Sequence, residues 1–138
     1  MKFVDSNVFI YAILKPKRKL TERMEELKNK AKRIFQRIIE GERVVTSVVH
    51  LSEAANILED ASNLAHSISF IEEIYKTRNI QVEQVTSEDY LSAVLGAKNM
   101  NVSINDMLAY LIMQRKGVKE IFSFDKHFDN LEVIRIEE

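Results

Sequence analysis

The 138-residue sequence is poor in the residue types that build several common kinds of site. It has no cysteine, which excludes disulfides, thiolate zinc sites and cysteine nucleophiles. Its three glycines and single proline are scattered, so the chain has neither a P-loop nor a Gly-rich dinucleotide-binding turn. So few turn residues also argue against an all-β sandwich. Because the lack of cysteine fits a reducing compartment, we expect a cytoplasmic protein.

Long hydrophobic runs are also absent. The longest apolar run, from Met107 to Met113, is far shorter than the roughly 20 residues that a membrane-spanning helix needs. Asp5 interrupts the apolar start of the chain, which argues against a signal peptide. We therefore expect no membrane association. With 46% hydrophobic and 30% charged residues, this length predicts one globular domain over residues 1–138.

The apolar residues alternate along the chain between strand-like and helix-like patterns. Strands are predicted at residues 2–4, 43–46, 80–85, 121–124 and 131–136. Helices are predicted at residues 8–14, 20–39, 47–59 and 64–76, with two more after the caps Thr86 and Ser103. Tyr75 and Tyr90 lie on apolar helical stripes and are predicted to be core residues. The alternation indicates an α/β fold with a central parallel β-sheet and helices on both faces.

Charge is distributed unevenly, although the net charge is only −1. Residues 15–37 contain ten basic and three acidic residues, a local charge of +7. Two interpretations remain open, a solvated helix face and a surface that contacts a polyanion. The densest group of basic residues comes first and consists of Lys15, Lys17, Arg18 and Lys19.

Four acidic residues occupy comparable places in the predicted fold. Asp5 and Asp125 follow strands, whereas Glu53 and Asp106 lie near the starts of helices. Ligands of parallel sheets bind beyond the carboxyl ends of the strands, so we expect the four side chains to converge there. Three of them also have a structural explanation as helix caps or capping-box residues. Glu53 does not, and its neighbours one helical turn away are apolar.

Converging carboxylates repel one another unless a cation neutralises them. Oxygen ligands suit Mg²⁺ or Mn²⁺, and such an ion can activate water and stabilise charge on a phosphate. The pattern thus predicts a divalent-metal site acting on phosphate esters. His50 and His66 are too far apart in the sequence for a zinc-binding motif. His50 and Glu53 stand one helical turn apart, a spacing that allows a hydrogen bond between their side chains.

Four segments spanning nearly the whole chain carry a family resemblance. They are FVDSNVFIY at 3–11, TSVVHLSE at 46–53, SINDMLA at 103–109 and FSFDKHF at 122–128. In this order they resemble the motifs of the PIN domain family, as found in VapC-type toxin ribonucleases. The resemblance implies a single PIN-like domain with Mg²⁺- or Mn²⁺-dependent endoribonuclease activity, acting as the toxin of a toxin–antitoxin pair. It also implies an RNA substrate, a homodimer and a small antitoxin partner.

The resemblance assigns roles to individual residues. The catalytic, metal-holding cluster would be Asp5, Glu53, Asp106 and Asp125. Polar groups that orient the carboxylates and waters would be Asn7 and Ser123. The RNA backbone would be contacted by the basic stretch, at Lys15, Lys17, Arg18 and Lys19. Many relatives carry a second acid two residues after the last Asp, where this chain has His127, so one-metal and two-metal operation both stay open.

Other functions are compatible with the same sequence. One is a PIN-like domain in RNA processing or maturation, and another is a non-catalytic module that binds RNA or protein. A non-catalytic module would not need all four acids. A receiver-like phosphatase would need a Lys partner at a separate strand end, and none is evident. The RNA target and the cleavage position are not predicted.

Overall fold

The computed structural model describes residues 1–15 and 18–138. Five parallel strands form one sheet in the order β3-β2-β1-β4-β5, so the first strand is central. The strands are β1 Lys2–Val4, β2 Val44–Ser47, β3 Ile80–Glu83, β4 Glu120–Phe122 and β5 Ile134–Ile136. All five predicted strands are present, and the predicted α/β fold with a parallel sheet is confirmed.

Six α-helices are found in the described part of the chain. They are α1 Ser6–Ile13, α2 Glu22–Ile39, α3 Val48–Ala61, α4 Leu64–Lys76, α5 Ser87–Met100 and α6 Ile104–Lys116. A 3₁₀ helix at Lys126–Asn130, which was not predicted, lies between β4 and β5, and the last strand begins at Ile134 and not at the predicted Leu131. None of the helices in residues 1–15 and 18–138 is long and apolar enough to cross a membrane.

The sheet is covered on both faces, as the alternating side chains of its strands require. Val4 and Phe122 point to one face and pack in a core with helices α1 to α4. Phe3 and Ile121 point to the other face and pack with α5 and α6. The prediction of helices on both faces is therefore confirmed.

Glycine ends the helix that leads into β4. Gly117 adopts φ 69°, a left-handed conformation that favours glycine. The turn is closed by the backbone N–H of Val118, which donates to the carbonyl of Met113 at 2.8 Å. This pattern is a Schellman motif, and it turns the chain sharply from α6 into the sheet.

The prediction that Tyr75 and Tyr90 are core residues was wrong. Their exposed fractions are 60% and 40%. In α4 the buried stripe runs through Phe70 and Ile74, so Tyr75 lies one residue beyond it. In α5 the buried residues are small, and a Cβ built on Gly96 would approach the Met107 side chain to 2.9 Å. Helix α5 thus packs closely against α6 through its small residues and exposes its large apolar ones.

Candidate active site

The predicted acids meet at the point where the strand order of the sheet reverses. From β1 the sheet continues through β2 and β3 on one side and through β4 and β5 on the other. Asp5 directly follows β1, and its backbone N–H donates to the carbonyl of Phe122, the last residue of β4. Ser123 and Asp125 follow on from there. Such switch points open a crevice at the carboxyl edge of a parallel sheet.

Asp5 is buried and held from both sides. Its Oδ1 accepts from the backbone N–H of Ser6 at 2.8 Å, so Asp5 caps α1 as predicted. Its Oδ2 accepts from the hydroxyl of Ser123 at 2.7 Å. Burial raises the pKa of Asp5 to about 6, the Ser123 hydrogen bond opposes this rise, and the negative charge of Glu53 adds to it.

Asp106 stands three residues after its helix cap, as Asp89 does in α5. At Asp89 the capping box is complete, since its carboxylate accepts from the backbone N–H of Thr86 at 3.0 Å. At Asp106 only half of the box is formed, with the Asp106 backbone N–H donating to the Ser103 hydroxyl at 3.0 Å. The capping-box interpretation of Asp106 therefore fails for its carboxylate.

The Asp106 carboxylate is uncompensated. Its exposed fraction is 5%, and in the described part of the chain its Oδ2 has no hydrogen-bond partner. Burial raises the pKa of Asp106 to about 7, and the negative charges of Asp5 and Asp125 add to the rise. An unpaired carboxylate oxygen facing other carboxylates is costly without a cation.

Glu53 reaches the cluster from α3 through two polar side chains. Its Oε2 accepts from the hydroxyl of Ser6, which also lies 3.4 Å from the Oδ1 of Asp5. Its Oε1 accepts from the side-chain amide of Asn105 at 3.3 Å. Sequence reasoning missed both Ser6 and Asn105. Each directly adjoins a predicted acid, which is the signal that could have identified them.

Asp125 is the fourth acid of the cluster, and the side chain of His127 lies beside it. As predicted, it is a helix cap, accepting from the backbone N–H of His127 at 2.9 Å. The imidazole Nδ1 of His127 lies 3.2 Å from the Oδ1 of Asp125 and 4.0 Å from the Oδ2 of Asp106. One donor atom from each of these three residues lies within 4.8 Å of the other two.

Ser123 and Asn7 both lie at this edge of the sheet. The Ser123 hydroxyl donates to Asp5 and accepts from the backbone N–H of Asp125 at 3.0 Å, so it links two of the acids. Asn7 instead accepts from the backbone N–H of Phe124 at 3.4 Å and ties α1 to the segment after β4. Asn7 thus supports the backbone around the cluster.

His50 is a buried residue whose polar atoms are both paired. Its Nδ1 lies 2.6 Å from the hydroxyl of Ser47 and its Nε2 lies 3.0 Å from the carbonyl oxygen of Asn105. Burial lowers the pKa of His50 to about 4, so the ring is neutral at pH 7. These contacts take the place of the hydrogen bond to Glu53 that the spacing allows, and His50 instead holds the backbone just before Asp106.

The basic stretch divides into two parts in the structure. The basic residues of α2 form ion pairs with the last two acids of the sequence. The Nζ of Lys30 lies 2.9 Å from Glu137, and the Nε of Arg33 lies 2.6 Å from Glu138. Lys15, Arg18 and Lys19 lie before α2, are exposed or partly so, and make no ion pair with another described residue. Lys17 lies outside the described residues. The α2 portion thus fits a solvated, ion-paired face.

The donor set suits a divalent cation. The atoms that converge are carboxylate oxygens, the ligands that hard cations prefer, together with the Nδ1 of His127. The unpaired Oδ2 of Asp106 and the raised pKa values of Asp5 and Asp106 both mark a place where positive charge is lacking. A metal ion therefore fits chemically beside Asp106 and Asp125, whose donor atoms lie within 4.8 Å of each other and of a His127 nitrogen. Glu53 instead contacts the polar side chains of Ser6 and Asn105.

The family model of the PIN domain matches residues 2–134. The chain belongs to the PIN domain family. Its central parallel sheet of five strands is thus that of a PIN domain, as the four sequence segments indicated. No curated protein matches the chain significantly.

Solved structures share this PIN fold. The VapC20 toxin of Mycobacterium tuberculosis, described as a Sarcin-Ricin loop cleaving toxin, is 20% identical with a TM-score of 0.74. The match covers 96% of this chain and 98% of VapC20. A chain of VapBC2 from Rickettsia felis, bound to a DNA fragment from their promoter, is 10% identical with a TM-score of 0.64. That match covers 98% of this chain and 96% of the other.

Proposed function

We propose that this PIN domain is a metal-dependent endoribonuclease and the toxin of a toxin–antitoxin pair. The observation that carries the proposal is the buried Oδ2 of Asp106, which has no hydrogen-bond partner among the described residues, while burial and the negative charges of Asp5 and Asp125 raise the pKa of Asp106. The description of VapC20 as a Sarcin-Ricin loop cleaving toxin supports RNA as the substrate class.

The acids would have two roles, binding the metal ion and positioning the attacking water. Asp5, Glu53 and Asp106 would hold Mg²⁺ or Mn²⁺, and Asp125 would either join them or position the attacking water. A bound ion of this kind lowers the pKa of water and offsets the charge that develops on the scissile phosphate. Neighbouring polar groups keep the carboxylates in place, and these are Ser6, Asn105 and Ser123.

Partner chains form part of the proposal. We expect a homodimer and a small antitoxin, acting in the cytoplasm. The fold shared with a chain of the VapBC2 complex supports a protein partner. Leu91 and Leu95 of α5 are 59% and 60% exposed, which supports an interface on that helix.

The catalytic proposal is tested by RNA cleavage with single substitutions. Asp5→Asn and Asp106→Asn should each abolish divalent-dependent cleavage of a structured RNA, because asparagine lacks the negative charge. At Asp5, which caps α1, asparagine also keeps much of the capping ability. Asp89→Asn is the matched control, since Asp89 has the same helical position away from the cluster. Cleavage at the wild-type level by either cluster variant would remove that residue from the site.

The toxin role is tested separately in growing cells. Expression of the wild-type chain should arrest bacterial growth, and expression of the Asp106→Asn variant at the same level should not. Growth arrest by both proteins would mean that toxicity does not come from this site.

A further inference from the structure

His127 presents a nitrogen donor to a cluster whose other donors are carboxylate oxygens. Its Nδ1 lies 3.2 Å from Asp125 and 4.0 Å from the buried, unpaired Oδ2 of Asp106. Ligands about 2.1 Å from one metal ion lie at most about 4.2 Å apart. Both distances from the imidazole are already within that limit.

The 3₁₀ helix holds this imidazole at the cluster. Asp125 caps the helix by accepting from the His127 backbone N–H. The next side chain, Phe128, is fully buried in the core beneath α6. Arg135 of β5 donates to both carboxylate oxygens of Asp129, at 3.0 and 3.1 Å. His127 therefore lies between Asp125 and the buried Phe128, both of which are held in place. Its own side chain is 64% exposed.

We propose that His127 is a ligand of the metal position formed with Asp106 and Asp125, and that it makes this position prefer Mn²⁺ to Mg²⁺. Imidazole nitrogen suits transition-metal ions, whereas Mg²⁺ takes oxygen ligands and keeps much of its water. The proposal rests on the proposed function, since it names the ion selectivity of the same site.

A purely structural role for His127 makes a different prediction. If its Nδ1 only donates to Asp125, the imidazole steadies one carboxylate and discriminates little between ions. A nitrogen ligand instead changes the ratio of the two affinities, because only one of the ions binds imidazole well. The ratio therefore distinguishes the two roles.

The test measures metal binding to the metal-free 138-residue protein by calorimetry, with Mn²⁺ and Mg²⁺ titrated separately. His127→Asp should lower the preference for Mn²⁺ over Mg²⁺ by about tenfold or more, since even indirect support of a ligand is worth 10–100-fold in affinity. His66→Asn, which changes a histidine of α4 outside the cluster, should leave the preference unchanged. Thermal melts check that each variant is folded.

A spectroscopic measurement on the same samples detects the bond directly. Pulsed electron paramagnetic resonance of bound Mn²⁺ should show coupling to an imidazole nitrogen in wild type and His66→Asn, and none in His127→Asp. Mn²⁺ binding with an unchanged ratio and no nitrogen coupling would overturn the role of His127 but leave the nuclease proposal intact. No divalent binding by the wild-type protein would overturn both.

Discussion

Two aspartates at the same helical position have opposite environments in this protein. Asp89 completes a capping box and pairs with Arg115, and both contacts lower its pKa. Asp106 also stands three residues after a hydroxyl cap, but its Oδ2 is buried without a partner and its pKa is raised. Local sequence is alike at the two sites. The difference comes from the acids that the sheet brings towards Asp106 alone.

The raised pKa of Asp106 predicts a pH-dependent stability in the metal-free protein. Because the folded state binds this proton more tightly than the unfolded chain, its contribution is fully present below about pH 4 and is lost as the pH rises through about 7. Asp106→Asn should match wild type near pH 4 and be more stable at pH 8, by about 1 kcal/mol or more, since one pKa unit corresponds to about 1.4 kcal/mol.

Chemical denaturation in EDTA across this pH range measures the difference. His50 acts in the opposite direction, since its lowered pKa makes its contribution grow as the pH rises from about 4 to 6.5. It is present in both proteins, so comparing them cancels its effect. A difference in stability that stays constant with pH would contradict the environment described for Asp106.

Ser123 should set the ionisation of Asp5. Its hydroxyl lowers the pKa of Asp5 against the effect of burial. Ser123→Ala should therefore move the pH midpoint of divalent-ion binding upward, because Asp5 then loses its proton only at higher pH. Ser123→Thr keeps the hydroxyl and should restore the wild-type midpoint. Calorimetry at a series of pH values measures both, and an unchanged midpoint in Ser123→Ala would exclude this role.

At the scale of chain segments, the segment before α2 carries the basic charges that can contact RNA. Replacing Lys15, Arg18 and Lys19 by Gln should weaken RNA binding for every sequence and lower the slope of log affinity against log salt by about 2. The matched control replaces three exposed basic residues far along the chain, Lys76, Arg78 and Lys98.

Filter binding of the uncleaved RNA to the Asp106→Asn background avoids turnover during this measurement. Equal losses in the two triple variants would mean that net charge alone attracts RNA. No loss in either would assign the basic segment to the solvated surface.

The order and faces of the elements were predictable, because apolar periodicity and helix caps are local properties of the sequence. The positions of the four acids in the fold were predictable for the same reason, since each lies near the end of a strand or the start of a helix. Tyr90 was misplaced because α5 packs through Gly96 and its small neighbours, where close approach outweighs apolar surface. The contacts of Ser6 and Asn105 with Glu53 were not predictable, since they join distant segments.

For the whole molecule, repulsion within the cluster predicts stabilisation by metal. A divalent ion that binds only the folded protein should add about 2.7 kcal/mol of stability at 100 times its dissociation constant. Thermal melts at pH 7 with Mg²⁺ or Mn²⁺ against EDTA, at matched ionic strength, would record it as a higher melting temperature. The Asp5→Asn, Asp106→Asn double variant should lose the shift. An equal shift in both proteins would indicate general screening.

The central position of β1 has a consequence for synthesis of the protein. The hydrogen bond from Ser123 to Asp5 joins residues 118 positions apart, and β1 pairs with β4 across a similar span. A ribosome adds about 5–20 residues per second, so Asp5 is made roughly 6 to 24 s before its partner. A protein proposed to cleave RNA therefore lacks an assembled site until the segment after β4, with Ser123 and Asp125, has been translated.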